Sequence, residues 1–436
     1  MPKLKREITL FGLTMIAIGS CVGSGIFFTP HDMANDLPSG GLTLAAWIVG
    51  GVISICGALT FAELGGLFPK TGGVYVFLKE AFGEVFGFLY GWCILLAVTS
   101  GAIAALSLGF AECLGYFWDI TDGQKMAISL TTLAAITLIN IFGVRLSQLA
   151  SSSLTVLKII GIAFIVIVAV TLSGKAPEGN FSLTLEHSDP WGAFALALTA
   201  VLWSFGGWHH ASYLAGETRN PAKTLPRAML FGVVAVTVIY LATNVGYLYL
   251  LPLGEIAESR AFAANAVASV LPVGGTITTI LILVSIFGTM AIYGLTAPRI
   301  YFKLAEDGLF FPLFAKVNAK WNVPIWAIIL QSGWAVVLLL FWGTFEDLLK
   351  YVVFTDWLFM LLAGISIFVF RKTMKHSPRP YKTWGYPVIP LIFILIVGWF
   401  IVSILRVEPM NAIAGLILLA AGFPVFYVFK FWQSKK

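Results

Sequence analysis

The feature that most limits what this chain can fold into is a succession of apolar runs, each about twenty residues or longer, repeated along its whole length. A helix rises 1.5 Å per residue, so roughly twenty apolar residues match a hydrocarbon core about 30 Å thick. Charged residues, prolines and glycines divide the sequence into twelve such runs, at 8–35, 42–67, 84–112, 125–142, 148–173, 191–216, 226–251, 273–305, 324–342, 347–370, 388–406 and 411–431. Ten-residue segments of alternating polarity are absent, so the expected spanning element is the α-helix. Of the 436 residues 59% are hydrophobic and only 11% charged, whereas soluble domains carry about 25% charged residues. So few charges cannot solvate an outer surface in water, and no stretch is polar enough to form a separate soluble domain. The fold class is therefore an all-α polytopic membrane protein with twelve transmembrane helices.

Charge placement sets the expected orientation. Sorting the connections alternately puts Lys3, Lys5, Arg6, Lys70, Lys79, Arg145, Arg219, Lys223, Arg227, Arg299, Lys303, Lys316, Lys320, Arg371, Lys372, Lys375, Arg379, Lys382, Lys430, Lys435 and Lys436 on one side. The other side receives Lys125, Lys175, Arg260, Lys350 and Arg406, and Lys158 alone stays inside a run. That split of 21 to 5 makes the first side cytoplasmic, with both termini inside a cell membrane. The formal charge of +6 then reports topology, not an affinity for nucleic acid. The apolar stretch from Leu10 to Ile18 follows basic residues but ends in no small-residue cleavage site, so no cleavable signal is expected. Cys21, Cys56, Cys93 and Cys113 have no CxxC or Cys/His spacing, and neither a metal site, a disulfide framework nor a cofactor is expected.

Two runs carry glycine clusters at membrane depth. The first contains Gly19-Ser20-Cys21-Val22-Gly23-Ser24-Gly25-Ile26-Phe27, and the sixth contains Trp203-Ser204-Phe205-Gly206-Gly207-Trp208. Each glycine costs about 1 kcal/mol relative to Ala in a helix interior. Taken singly, either cluster is equally consistent with close helix–helix packing. Their positions, as first helices of two five-helix halves, point instead to broken helices at a substrate site between repeats. An amino acid brings a carboxylate and an ammonium into a medium of low dielectric, where both need partners. An unwound helix supplies N–H donors at the start of its second half and carbonyls at the end of its first.

Gly23-Ser24-Gly25-Ile26-Phe27, Phe68-Pro69-Lys70-Thr71-Gly72-Gly73 and Gly216-Glu217-Thr218-Arg219-Asn220-Pro221, followed by Leu225-Pro226-Arg227-Ala228, resemble the amino acid–polyamine–organocation superfamily. Phe205-Gly206-Gly207-Trp208 and Lys158 look like its L-amino acid transporter family, whose bacterial members include alanine–serine–cysteine and serine/threonine exchangers. The resemblance covers essentially the whole chain. It implies a transporter core over 1–370, with inverted repeats over about 8–173 and 191–370, and two accessory helices over 371–436, working by alternating access. It also implies that Ser24, Gly25 and Ile26 offer N–H groups to a substrate carboxylate. Carbonyls from Gly19, Ser20 and Cys21, with those of Trp203 and Gly206, would meet the ammonium, alongside Phe205. Trp203 would close over the substrate and Tyr240 would line the pocket. Lys158 would stand where sodium sits in sodium-coupled relatives, touching the unwound backbone near Gly19, with Ser285 or Thr289 adding an oxygen; the bland alternative is a lysine snorkelling to the inner surface.

Two positions depart from the commoner residues of that family, His209 after Gly206-Gly207-Trp208 and Asp356 in span 10. Intramembrane ionisable residues are functional candidates by default, although a packed His209 and a hydrogen-bonded Asp356 are the plain alternatives. Glu63 and Glu217 are expected to pair with Lys70 or Arg219. The leading expectation is a sodium-independent exchanger or facilitator of small neutral L-amino acids; the alternative is a proton-coupled permease or a carrier of cationic amino acids or polyamines using Asp356. A channel would need a continuous polar lining and an enzyme a cluster of acid, base or metal groups; the sequence offers neither. No heavy-chain partner is inferred, because the outer connection between spans 3 and 4 is short and only Cys113 lies near it.

Overall fold

The computed structural model describes residues 4–184, 188–341, 345–407 and 409–434. Lys3, Lys435 and Lys436 of the basic set, and the side chain of Lys350, lie outside the described residues. Each of the twelve predicted runs contains a helix. The first is split into α1 (Leu10–Cys21) and α2 (Gly25–Asp36), followed by α3 (Gly40–Leu67), a short α4 (Val74–Phe82), and a long third span of α5 (Glu84–Cys93), a π-turn over Ile94–Val98, and α6 (Thr99–Leu114). Next come α7 (Asp122–Ile141) and α8 (Val144–Leu172), then the second broken helix, α9 (Pro190–Phe205) with a 3₁₀ segment over Trp208–Glu217. After it come α10 (Pro221–Leu250), short α11 (Leu253–Glu258) and α12 (Phe262–Ala268), α13 (Gly274–Thr296), α14 (Pro298–Glu306), α15 (Ile325–Phe341), α16 (Phe345–Thr373), α17 (Val388–Val407) and α18 (Pro409–Ser434). Among the described residues eleven spans are long and apolar enough to cross a membrane, and α15 is a shorter apolar helix of 17 residues.

Burial sorts these helices into a centre and a periphery. Within the apolar windows, 83% of residues are buried in Leu10–Asp36 and in Glu84–Leu114, against 33% in Val388–Val407 and 22% in the last span. The broken first helix is therefore enclosed by protein, which is where non-helical backbone at membrane depth is tolerated. The last two helices present apolar faces outward: Leu395, Val402, Ile417 and Val428 are exposed.

One end of the bundle is tied by charge. Ile8 bridges Thr218: the Ile8 amide donates to Glu217 O at 2.9 Å and Arg219 N donates to Ile8 O at 2.9 Å, which joins the foot of α1 to the end of the 3₁₀ segment. Arg299 donates through Nε to Glu217 Oε1 at 2.7 Å and through an Nη to Oε2 at 3.1 Å, with both side chains fully buried. Glu63 accepts from Arg371 at 2.7 Å, from Arg379 at 3.1 Å and from the Thr383 amide at 2.7 Å. The expected partners Lys70 and Arg219 are thus corrected: both carboxylates face inward, away from the nearest basic residues in sequence, and take arginines from other helices. Beside them Asp307 accepts from Tyr75 at 2.8 Å and Lys79 at 2.7 Å, and pairs with Lys303 at 2.7 Å, anchoring α4 to the end of α14. Burial alone would raise the Asp307 carboxyl, but the hydrogen bonds from Lys303, Lys79 and Tyr75 outweigh it and hold it below its usual value.

A buried ion pair that loses one partner leaves an uncompensated charge, at a cost of about 3–5 kcal/mol. Arg299→Ala should therefore lower the melting temperature of the detergent-purified protein sharply. Removing both charges, in Arg299→Leu with Glu217→Leu, should recover part of that loss. An unchanged melting temperature in Arg299→Ala would mean that the pair does not hold this end together.

Candidate functional site

The first break follows from its composition. α1 ends at Cys21, the chain passes through Val22, Gly23 and Ser24, and α2 starts at Gly25. Interrupting a helix strands carbonyls on one side and N–H groups on the other, and here both sets lie in the protein interior.

The carbonyl side is filled by side chains. Lys158, 1% exposed in the middle of α8, donates from Nζ to Gly19 O at 2.9 Å, Val22 O at 2.7 Å and Thr289 Oγ1 at 2.7 Å. An ammonium has three donors, and all three are used. Thr289, on α13, lies 2.9 Å from Gly19 O and 3.0 Å from Val22 O, so its hydroxyl accepts from the lysine and donates to one of these carbonyls. Ser285 does not reach the ammonium; its hydroxyl lies 3.2 Å from Val22 O and 3.1 Å from Gly23 O. Gly288 leaves the space that the lysine stem fills, since a Cβ there would stand 2.7 Å from Lys158 Cε. The next carbonyls are also engaged: Tyr240 donates its hydroxyl proton to Cys21 O at 2.7 Å or Ser204 O at 2.8 Å, and Tyr293 OH lies 3.3 Å from Ser20 O.

On the other side of the break, the N–H groups of Gly25 and Ile26 open a twelve-residue helix and have no acceptor within it. Ser24 makes no capping bond, and its buried hydroxyl has no partner among the described residues. A helix start of this kind suits an anion.

The second break lies directly against the first. Gly207 adopts φ +125°, and a Cβ on it would stand 2.7 Å from both the carbonyl carbon and oxygen of Ser20. Only glycine combines that dihedral with so close a backbone approach. Ser20 Oγ lies 2.8 Å from Gly207 O, and Cys21 Sγ donates to Phe205 O at 3.4 Å. Gly25 in turn faces the Ser204 backbone, where a Cβ would meet Cα at 2.9 Å.

Beside this junction is a small cavity of about 30 Å³, room for one or two waters. Its walls include Thr99, Trp203, Gly206, His209, Tyr293 and Asp356. Thr99 Oγ1, His209 Nε2 and Asp356 Oδ1 are buried there without a hydrogen-bond partner among the described residues. Unsatisfied buried polar atoms cost about 1–3 kcal/mol each, so the three around this cavity are left to water or to a polar guest. Of the residues singled out from sequence, Trp203, Gly206, His209 and Asp356 line it. Gly19, Ser20, Cys21, Ser24, Gly25, Ile26, Phe205 and Tyr240 lie behind it: Phe205 packs on Trp47 and Tyr240, with ring centroids 6.0 and 5.1 Å away, and Tyr240 spans the two breaks. Thr99, His210 and Tyr293 were missed. His210 packs against Tyr293 with tilted rings whose centroids are 4.6 Å apart, and its Nδ1 lies 2.8 Å from Thr296 Oγ1. Thr99 follows the π-turn over Ile94–Val98, a local widening often found at functional sites that has no sequence signature.

Residues 8–426 match the amino acid permease family. The chain is 32% identical to the serine/threonine exchanger SteT of Bacillus subtilis over 434 residues, covering 98% of this chain and 97% of that protein. It is 31% identical to the b(0,+)-type amino acid transporter 1 of Oryctolagus cuniculus, over 87% of this chain and 79% of the relative. The human cystine/glutamate transporter is 28% identical over 99% of this chain and 87% of its own length.

The contact between the two breaks predicts a specific sensitivity. Gly207→Ala should cost about 2 kcal/mol or more, through a strained dihedral and a backbone clash. Gly254→Ala, where an added Cβ meets nothing within 4 Å, should leave the melting temperature unchanged. Equal melting of the two variants would argue against a tight junction.

Proposed function

The chain belongs to the amino acid permease family, and from that premise we propose that it carries small neutral L-amino acids across a cell membrane by sodium-independent exchange or facilitated transport. The observation that carries this reading is the cavity at the second break, where Thr99, His209 and Asp356 each hold an unpartnered polar atom beside the Trp203 and Gly206 backbone. In this reading the substrate carboxylate takes the N–H groups of Gly25 and Ile26 with the Ser24 hydroxyl, and its ammonium takes carbonyls of the unwound segments such as those of Ser20 and Trp203, which accept one hydrogen bond each and have a second lone pair to offer. A cavity of about 30 Å³ is too small for an amino acid, so loading requires the helices around it to part, as alternating access demands. The nearly full-length likeness to a serine/threonine exchanger supports small neutral substrates. Sodium independence is supported by Lys158, whose ammonium already occupies the Gly19 and Val22 carbonyls.

A second reading rests on one observation, the unpartnered Asp356 Oδ1: an unpaired carboxylate would select a cationic side chain or pass a proton. Reconstitution into proteoliposomes separates the two. Labelled serine uptake should rise when serine, threonine or alanine is trapped inside, and should be indifferent to replacement of sodium by choline. Lys158→Ala should cut transport at least tenfold, about 1.4 kcal/mol, while the protein remains folded. Asp356→Asn should keep neutral transport within tenfold. A sodium requirement, or wild-type transport by Lys158→Ala, would sink the leading reading; a parental preference for lysine or a polyamine that Asp356→Asn abolishes would put the second in its place.

The same proposal puts both termini in the cytoplasm, on the strength of the basic-residue split. In a background lacking the native cysteines, single cysteines at Asp122 and Ser259 should react with impermeant reagent from outside, and ones at Lys316 and Lys375 should not. The reverse pattern would invert the orientation.

A further inference from the structure

At the end of the bundle that carries the basic residues, a second and larger cavity opens between the foot of α1 and the start of α8. It measures about 510 Å³ and is walled by Glu7, Thr9, Phe11, Arg145, Gln148, Leu149, Ser152 and Arg219. A neighbouring cavity of about 200 Å³ shares Glu7 and Arg145 and adds Lys5 and Lys320. Four cations thus face one carboxylate. Such a balance is expected where a negatively charged group is to be bound, since cations left facing each other otherwise repel.

The two arginines are available. Neither Arg145 nor Arg219 has a side-chain hydrogen bond or ion pair among the described residues, although carboxylates elsewhere at this end take up arginines wherever they are buried. A second observation comes from the cavity's inner wall. Ser152 is only 7% exposed, and its Oγ is buried without a partner among the described residues. A buried hydroxyl that shares a cavity wall with two guanidiniums unpaired among the described residues is a donor set for phosphate oxygens, which arginine grips with two parallel N–H bonds.

What surrounds the cavity decides the source of the phosphate. Phe11 is 60% exposed and Leu149 is 63% exposed, and both belong to membrane-spanning helices. Leu146 and Phe142 continue the exposed apolar surface along the same edge. A soluble anion would gain nothing from such walls, whereas the acyl chains of a lipid would lie along them while its headgroup entered the cavity. We propose that this cavity is a binding site for the phosphodiester of an anionic phospholipid, held by Arg145 and Arg219 with Ser152 at its inner wall. The bound headgroup spans Thr9, the cap of α1, and Arg145 and Gln148 on α8, so it fastens the basic end of the same pair of helices that Lys158 fastens at depth.

The test uses the full chain purified in detergent and titrated with phosphatidylglycerol, phosphatidylcholine or glycerol phosphate, followed by thermal melting and by native mass spectrometry of retained lipid. Phosphatidylglycerol should raise the melting temperature by about 3 °C or more at saturation and remain bound as a discrete adduct, whereas phosphatidylcholine should do neither. Arg145→Gln with Arg219→Gln should abolish both effects, and Lys372→Gln with Lys375→Gln, at the same end but outside the cavity, should retain them. Glu7→Gln removes the opposing carboxylate and should lower the half-saturating phosphatidylglycerol concentration several-fold; Ser152→Val should raise it. These two single variants carry the test if the double arginine variant fails to fold. An equal shift from glycerol phosphate would overturn the lipid source, and an unaltered shift in the arginine variant, or no response to Glu7→Gln, would overturn the site.

Discussion

A single ammonium holds the centre of this protein together. Breaking a helix inside a membrane strands carbonyls that water cannot reach, and burying a lysine strands a charge; each alone would cost several kcal/mol. Lys158 and the end of α1 cancel the two costs. The carbonyl end of a helix carries the negative pole of its dipole, so Gly19 O and Val22 O attract a cation more strongly than neutral acceptors would, and Thr289 completes a set of three acceptors for three donors. No carboxylate takes part. The arrangement therefore balances charge against dipole, with all three lysine donors spent on the broken helix and its threonine neighbour.

The position of the second break follows from the first. Once α1 is held open at Cys21, its last turn presents bare backbone to α9, and only glycine at 207 lets that backbone approach. Tyr240 then reaches both broken helices with one hydroxyl. At the basic end the same two broken helices are joined again by the bridge of Ile8 to Thr218, and the buried pair of Glu217 with Arg299 ties the second of them to α14. Any opening of the cavity towards that end has to part these contacts. Charge pairs and hydrogen bonds suit that task better than a packed apolar core, because each can exchange its partner for water.

Much of this was legible in the sequence. Apolar length placed a helix in each of the twelve runs, eleven of them long and apolar enough to span among the described residues and α15 shorter, at 17 residues. The glycine clusters located both breaks because a helix interior tolerates such composition poorly. Lys158 stood out because a charge in an apolar run needs a partner, and the resemblance to the transporter family pointed to the first break as that partner. The errors came where contacts join distant segments. Glu63 and Glu217 were assigned neighbours in sequence, but their arginines lie 308 and 82 residues away, and pairing of that range leaves no trace in local pattern. The cavity is bounded by Thr99 and Tyr293, both unremarkable residues in apolar helices, placed there by a π-turn and by helix packing that spacing does not encode.

The contrast between Lys158 and Asp356 separates the structural polar groups of this interior from those left for a ligand. Both are ionisable, both sit in membrane helices, and sequence alone treats them alike. In the folded chain the lysine is saturated: three donors, three acceptors, no space. The Asp356 oxygen, His209 Nε2 and Thr99 Oγ1 are unsaturated, and they surround one cavity. A saturated group stabilises one arrangement and gains nothing from a guest. An unsaturated one is left to water or to a guest, and a guest that displaces water without replacing its hydrogen bonds forfeits about 1–3 kcal/mol per atom. It follows that these groups favour guests bearing a hydroxyl or amino function over purely aliphatic ones of the same size. The discrimination arises as much from what an aliphatic guest would leave unpaired as from what a polar guest would gain.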